Sequence, residues 1–154
     1  MACKETKTDK IKHSSFTLKL GNTWQVMDLD SQVNTGYFTA ENKRINKSGI
    51  LTLTYSKDPI STTNYLNSMK REIEENPIFK LGNTQFEPSK QFTHETINGE
   101  IIEYQANLQG LEVVGLIFVT KCTPFSYCFL YQQNKKKQLE SNFISLLEGF
   151  DCNN

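Results

Sequence analysis

Leu111-Glu112-Val113-Val114-Gly115-Leu116-Ile117-Phe118-Val119-Thr120-Lys121-Cys122 decides how this chain is read. In an extended strand, successive side chains point to opposite faces. Leu111, Val113, Ile117 and Val119 form one apolar row; Val114, Leu116 and Phe118 form the other. A strand that is apolar on both faces must be covered on both, so this one is the centre of a layered domain. On its N-terminal side Gln109-Gly110 turns the chain back onto residues 100–108. Asn98-Gly99 joins that segment to residues 91–97. Asn-Gly is a strong hairpin signal, because both central positions of a type I′ turn need positive φ. On the C-terminal side Thr123-Pro124-Phe125 leads into 126–133, where Tyr127, Phe129 and Tyr131 oppose Cys128 and Leu130. These four segments read as an antiparallel meander.

Earlier in the chain, Phe16-Thr17-Leu18-Lys19-Leu20 alternates cleanly, and Gly21-Asn22 reads as a hairpin turn into 23–27. Residues 36–42 and the β-branched run 50–55 are two further strands. Asp58-Pro59 stops the second of these. Ser61 or Thr62 then caps a helix whose stripe is Tyr65, Leu66, Met69 and Ile73, ended by Pro77. Residues 77–90 read as a long irregular loop carrying Phe79, Leu81 and Phe86. Residues 135–149 read as a helix through Leu139, Phe143, Leu146 and Leu147, continuing to Phe150. The expected fold class is α+β: an antiparallel sheet of about six to eight strands with two main helices, segregated rather than alternating.

The order of elements, with Phe16-Thr-Leu-Lys-Leu-Gly-Asn-Thr-Trp24, the strand from Gly49-Ile50-Leu51 before a helix, and the aromatic strand 127–131 feeding a terminal helix that ends Leu147-Glu148-Gly149-Phe150, resembles the Mog1/PsbP fold family. The resemblance covers residues 16–150 and runs by pattern. Leu20 stands where the family's opening turn carries Pro before Gly. It implies an α/β/α sandwich. It also implies an accessory or partner-binding role rather than one enzyme class, and some bacterial members are envelope lipoproteins.

The chain has 154 residues and 17.7 kDa, enough for one domain with its own core. Seventeen basic residues balance 17 acidic ones, which argues against nucleic-acid binding by bulk electrostatics. Residues 1–15 are polar and read as a flexible tether ahead of a single domain, 16–154. Ala2-Cys3 before this hydrophilic stretch resembles the mature start of a bacterial lipoprotein. Cys3 is therefore the expected lipidation site and membrane attachment. The expected location is the cell envelope, facing the periplasm, if a signal lies upstream, and the cytoplasm otherwise.

Chemistry is sparsely provided for. His94 and Glu95 are neighbours on an expected strand, so they point apart and form no dyad, and His13 lies in the tether. Cysteines at 3, 122, 128 and 152 give no Cys-x-x-Cys pair, and His94-Glu95-Thr96-Ile97-Asn98 is not a helical zinc motif. Lys-Leu-Gly-Asn-Thr recurs at 19–23 and 80–84 but lacks the glycines and lysine of a phosphate loop, so both copies read as turns. Lys135-Lys136-Lys137 reads as a solvated turn. No catalytic residue, metal site or cofactor is assigned.

One disulfide is expected among Cys122, Cys128 and Cys152. Cys122–Cys128 across the 123–127 turn is the first choice, pairing Thr120 with Leu130, and a bridge from Cys152 is the second. Cys152 follows a helix antiparallel to strand 126–133, which returns it to the same end of the sheet. The expected function is a non-enzymatic module that docks an unidentified protein partner. The alternative is a small-ligand binder with a pocket lined by Trp24, Tyr104, Tyr127 and Tyr131, whose aromatic bodies and polar tips suit such a site.

Overall fold

The computed structural model describes residues 10–43, 49–134 and 137–153. In chain order the strands are β1 (Lys10–Lys12), β2 (Phe16–Lys19), β3 (Trp24–Ser31), β4 (Thr35–Asn42), β5 (Ile50–Ser56), β6 (Gln85–Phe86), β7 (Lys90–His94), β8 (Ile97–Leu108), β9 (Leu111–Cys122), β10 (Phe125–Gln133) and β11 (Phe150–Cys152). Three helices, α1 (Thr62–Glu75), α2 (Pro77–Leu81) and α3 (Leu139–Leu147), complete the described elements. An eight-stranded antiparallel sheet runs β3-β4-β5-β10-β9-β8-β6, with β7 also pairing β8. A smaller sheet, β1-β2-β11, lies over it.

β9 is central, as its double apolar pattern requires, and Val113 to Thr120 are all buried. On one face Val114, Leu116 and Phe118 join Phe125, Tyr127, Phe129 and Tyr131 of β10. Phe143 of α3 and Phe16, Leu18 and Phe150 of the small sheet close this side. Rings meet edge to face: Phe129 and Phe150 lie 5.0 Å apart at 86°, and Phe118 and Phe143 lie 5.7 Å apart at 68°. That geometry sets the positive rim of one ring against the negative face of the next. On the other face Tyr65, Leu66 and Ile73 of α1 cover Ile102, Ile117, Val119 and Cys128. The architecture is an α+β sandwich with helices on both faces of an antiparallel sheet.

α1 starts where its cap dictates: Ser61 Oγ accepts the Asn64 N–H at 3.1 Å. Asn76 ends α1 and caps α2, its Oδ1 accepting the Ile78 N–H at 3.0 Å, with Pro77 in the first helical turn. The stretch 77–90, read as an irregular loop, therefore holds α2 and β6. The last helix starts at Leu139, later than the expected 135, because Gln138 sits in the left-handed region at φ 63°. Lys137 is exposed, as expected of a solvated turn; Lys135 and Lys136 lie outside the described residues.

Other expectations are corrected by packing. Residues 16–27 do not form a hairpin. Phe16, Leu18 and Leu20 are all buried, so β2 lies over the main sheet as a second layer, paired with β1 and β11. Gly21-Asn22 carries the chain from one layer to the other, with the Trp24 N–H bonded to Gly21 O at 3.0 Å. The expected tether is a strand from Lys10 onward; its remainder lies outside the described residues. Asn98-Gly99 is not a turn either. The β7–β8 turn falls at Glu95-Thr96, with Glu95 at φ 51°, and Gly99 lies within β8. Its glycine meets a different demand, because a Cβ there would strike the Val119 carbonyl oxygen and the Phe118 ring.

Gly99→Ala is expected to lower unfolding free energy by about 2–3 kcal/mol, since backbone blocks the new methyl. Gly21→Ala, where nothing lies within 4 Å of the added atom, stays within about 0.5 kcal/mol. Urea denaturation of the two variants checks the contrast.

Candidate functional site

The four aromatic residues expected to line one pocket are divided by the sheet. Tyr127 and Tyr131 are buried in the core beneath α3 and the small sheet. Tyr127 Oη donates to Ser15 O at 3.0 Å; Tyr131 Oη donates to Gln133 Oε1 at 2.9 Å, which also accepts from Asn142 Nδ2 at 3.0 Å. Trp24 is half-buried on this side, and its ring and that of Tyr131 flank Gly49. Tyr104 lies on the opposite face, beneath α1 and α2, packed on Phe79 and Phe86. Its Oη accepts a bond from Gln132 Nε2 at 2.7 Å. The reason is register: Tyr104 shares a cross-strand row with Gly115 and Gln132, one residue out of phase with Tyr131.

The hollow beside Tyr104 holds about 10 Å³, room for a single water. A larger depression of about 440 Å³ is lined by Glu87, Pro88, Lys90, Ile101 and Glu103, and none of the four aromatics reaches it. Burial pushes the Tyr131 phenol up to about 12 and raises Tyr65 and Tyr104 as well.

The histidines take structural positions. His13 Nδ1 accepts the Ser15 N–H at 3.1 Å, so Nε2 carries the proton and donates to Gln32 O at 3.0 Å. Its ring lies 4.5 Å from that of Tyr55, which also donates to Gln32 O. His94 ends β7, and its Nε2 is enclosed with no hydrogen-bond partner among the described residues. No group of three or more His, Cys, Asp or Glu able to hold a metal occurs among the described residues.

The disulfide joins Cys122 to Cys152, with Cα atoms 6.2 Å apart. The expected Cys122–Cys128 bridge is corrected by the two-residue connection at Thr123-Pro124. It pairs Phe125 with Cys122, and therefore Cys128 with Val119 on the face toward α1. Cys128 is a buried free thiol, raised by that burial and by the Glu72 carboxylate. The return of Cys152 to the Cys122 end of the sheet follows the expected helix direction. Cys3 lies outside the described residues.

Among the described residues, half of one sheet face is left open. Reading across a row from β8, Ile102, Ile117 and Leu130 lie under α1, and the row continues through Thr52 and Thr39 to Asp28. The next row runs Val119, Cys128, Thr54, Tyr37, Asp30. α1 packs against β8, β9 and β10, so among the described elements no helix packs broadly on this face of β3, β4 and β5. Thr39 and Thr52 bond to each other at 3.2 Å, and Tyr37 Oη donates to Asp28 Oδ2 at 2.9 Å. Ile50 (43 % exposed) adds an apolar patch.

The fold is shared with solved structures, of which three are similar over most of this chain. CyanoP, the cyanobacterial PsbP of Synechocystis sp. PCC 6803, aligns with TM-score 0.62 at 13 % identity over 99 % of this chain and 98 % of its own. The fold is PsbP/Mog1-like. A 1.50 Å crystal structure from Bacteroides thetaiotaomicron VPI-5482 aligns with TM-score 0.62 at 11 % identity over 95 % of this chain, which spans about half (48 %) of that longer one. LpqN of Mycobacterium tuberculosis, involved in cell envelope biogenesis, aligns with TM-score 0.56 at 11 % identity over 89 % of this chain and 82 % of its own. No protein-family model and no curated protein matches the sequence. At these identities the PsbP/Mog1-like likeness is one of fold.

Two outcomes are expected from the buried groups. A phenol whose folded pKa is raised stabilises the fold below its unfolded value near 10, and that stability is lost as pH rises from there toward about 12. Absorbance at 295 nm should therefore show a delayed class of tyrosines that ionises only with alkaline unfolding. Cys152→Ser should cost about 3–4 kcal/mol, from a loop spanning 30 residues. Peptide mapping without reductant should link 122 to 152 and leave Cys128 unalkylated until denaturant is added.

Proposed function

We propose that this chain is a non-catalytic accessory module that docks a protein partner, held at a cell envelope through lipidated Cys3. The half-covered sheet carries the docking part of this reading. β4 and β5 send buried side chains into the core, while their other face offers Tyr37 and Ile50 among threonine methyls and hydroxyls beyond the strands on which α1 packs. A surface of this kind mixes an apolar centre with polar groups, as interfaces do. The anchoring part is supported by Ala2-Cys3 ahead of a hydrophilic stretch, and by the envelope role of LpqN, which has the same fold.

The two parts separate by experiment. A benzophenone amino acid placed at Thr52 in the chain expressed from its native locus should yield one discrete adduct with another protein on irradiation. The same group at Gln91, on the far edge, should not. No adduct from 52 would overturn docking at this face. Labelled palmitate should enter the wild-type product and not Cys3→Ser; equal labelling, or none, would remove the anchor.

A further inference from the structure

The strand register gives the sheet two poles. One holds Gly36, Ser56, Gly99 and Thr120 and, beside them, the Cys122–Cys152 bridge. The other holds the Gln109-Gly110 turn, and α2 lies against it, with the Asn107 N–H bonded to Gly82 O at 2.9 Å. At this second pole the apolar side chains point outward. Leu81 is 90 % exposed, more than any other large apolar residue among the described ones. Ile78, 63 % exposed, lies three positions earlier on the same face of α2. Leu111 is 52 % exposed, and Leu108, its partner across the turn, lies against Gly82 and so joins the two groups. Lys80 and Lys137 are exposed at the same pole, as are the acids Glu75, at the end of α1, and Glu112, beside Leu111.

The chain enters the domain from that side. β1 runs toward the first pole, because His13, directly after it, bonds to Gln32 O in the β3–β4 turn. Its Lys10 end therefore points toward the second pole. Cys3 lies seven residues before Lys10, a reach of at most about 25 Å. An anchor at the end of a chain segment does not itself orient the domain, and a second contact does so while adding to residence. A short tether makes that contact effectively intramolecular.

We propose that this second pole lies on an anionic bilayer surface, with Ile78, Leu81 and Leu111 entering the interface and Lys80 and Lys137 meeting the headgroups. The orientation rests on the anchoring reading above. It leaves the open face of β3–β5 beside the membrane rather than under the protein, free for a partner.

The test uses the full chain coupled through Cys3 to a maleimide lipid in phosphatidylglycerol-containing vesicles with brominated acyl chains. Cys128 is buried and the other two cysteines are bonded, so coupling is confined to Cys3. In a Trp24→Phe background, Leu81→Trp should be strongly quenched and Val33→Trp, exposed at the first pole, should not. For untethered protein, Ile78→Ser with Leu81→Ser should lower vesicle partitioning about tenfold or more, with the circular dichroism spectrum unchanged. No quenching at 81, equal quenching at 33, or unchanged partitioning would overturn the proposal, including the case in which a protein covers this pole instead. Because the coupling is chemical, these results stand whether or not cells acylate Cys3. A failed palmitate label removes the anchor alone.

Discussion

Two-sided burial of β9 is the constraint from which the rest of the molecule follows. A strand with no solvent-facing side needs a neighbour on each edge and a layer on each face. β8 and β10 supply the edges, and α1 supplies one layer. The other layer is built from pieces distant in sequence, α3 with β2 and β11, because no single segment of the chain is long enough and apolar enough to cover that face. The aromatic side chains concentrate there. Large rings fill the angular gaps between a helix, a small sheet and a twisted large one better than aliphatic side chains of similar area would, and at edge-to-face angles they add attraction to burial.

The strands whose partners are local were legible in the sequence. β8, β9 and β10 follow from alternation and turn residues, and α1 from its cap and stripe. What escaped was pairing decided at a distance. Gly21-Asn22 has the composition of a hairpin turn, and nothing nearby says that the strand before it belongs to another sheet. That choice is made by β11, at the other end of the chain, offering β2 a partner. Asn98-Gly99 shows the same limit in miniature: one glycine serves positive φ or close approach, and only the neighbouring strand distinguishes them. β1 was hidden by its lysines, which face solvent while Ile11 packs inward.

The candidate site was less legible, for a physical reason. Tyrosines with buried rings and satisfied hydroxyls look the same in sequence as tyrosines lining a cavity. Tyr104, Tyr127 and Tyr131 are core residues whose hydroxyls find a glutamine or a backbone carbonyl. The cysteine geometry was half readable. The helix direction returned Cys152 to the correct pole, whereas a turn three residues shorter than expected, an odd shift in register, moved Cys128 to the opposite face. The exposed half-sheet and Leu81 on α2 are defined by an absence of neighbours among the described residues, and a sequence records neighbours only indirectly.

The small sheet has a consequence for how the chain is made. β11 is synthesised long after β2, yet they are adjacent strands. At ordinary translation speeds the interval between them is on the order of ten seconds. During that time β2 carries an open edge and two large apolar side chains, Phe16 and Leu18, with no lid above them. Until β11 emerges that strand stays exposed, and the cysteine that secures β11 to the main sheet arrives within β11 itself.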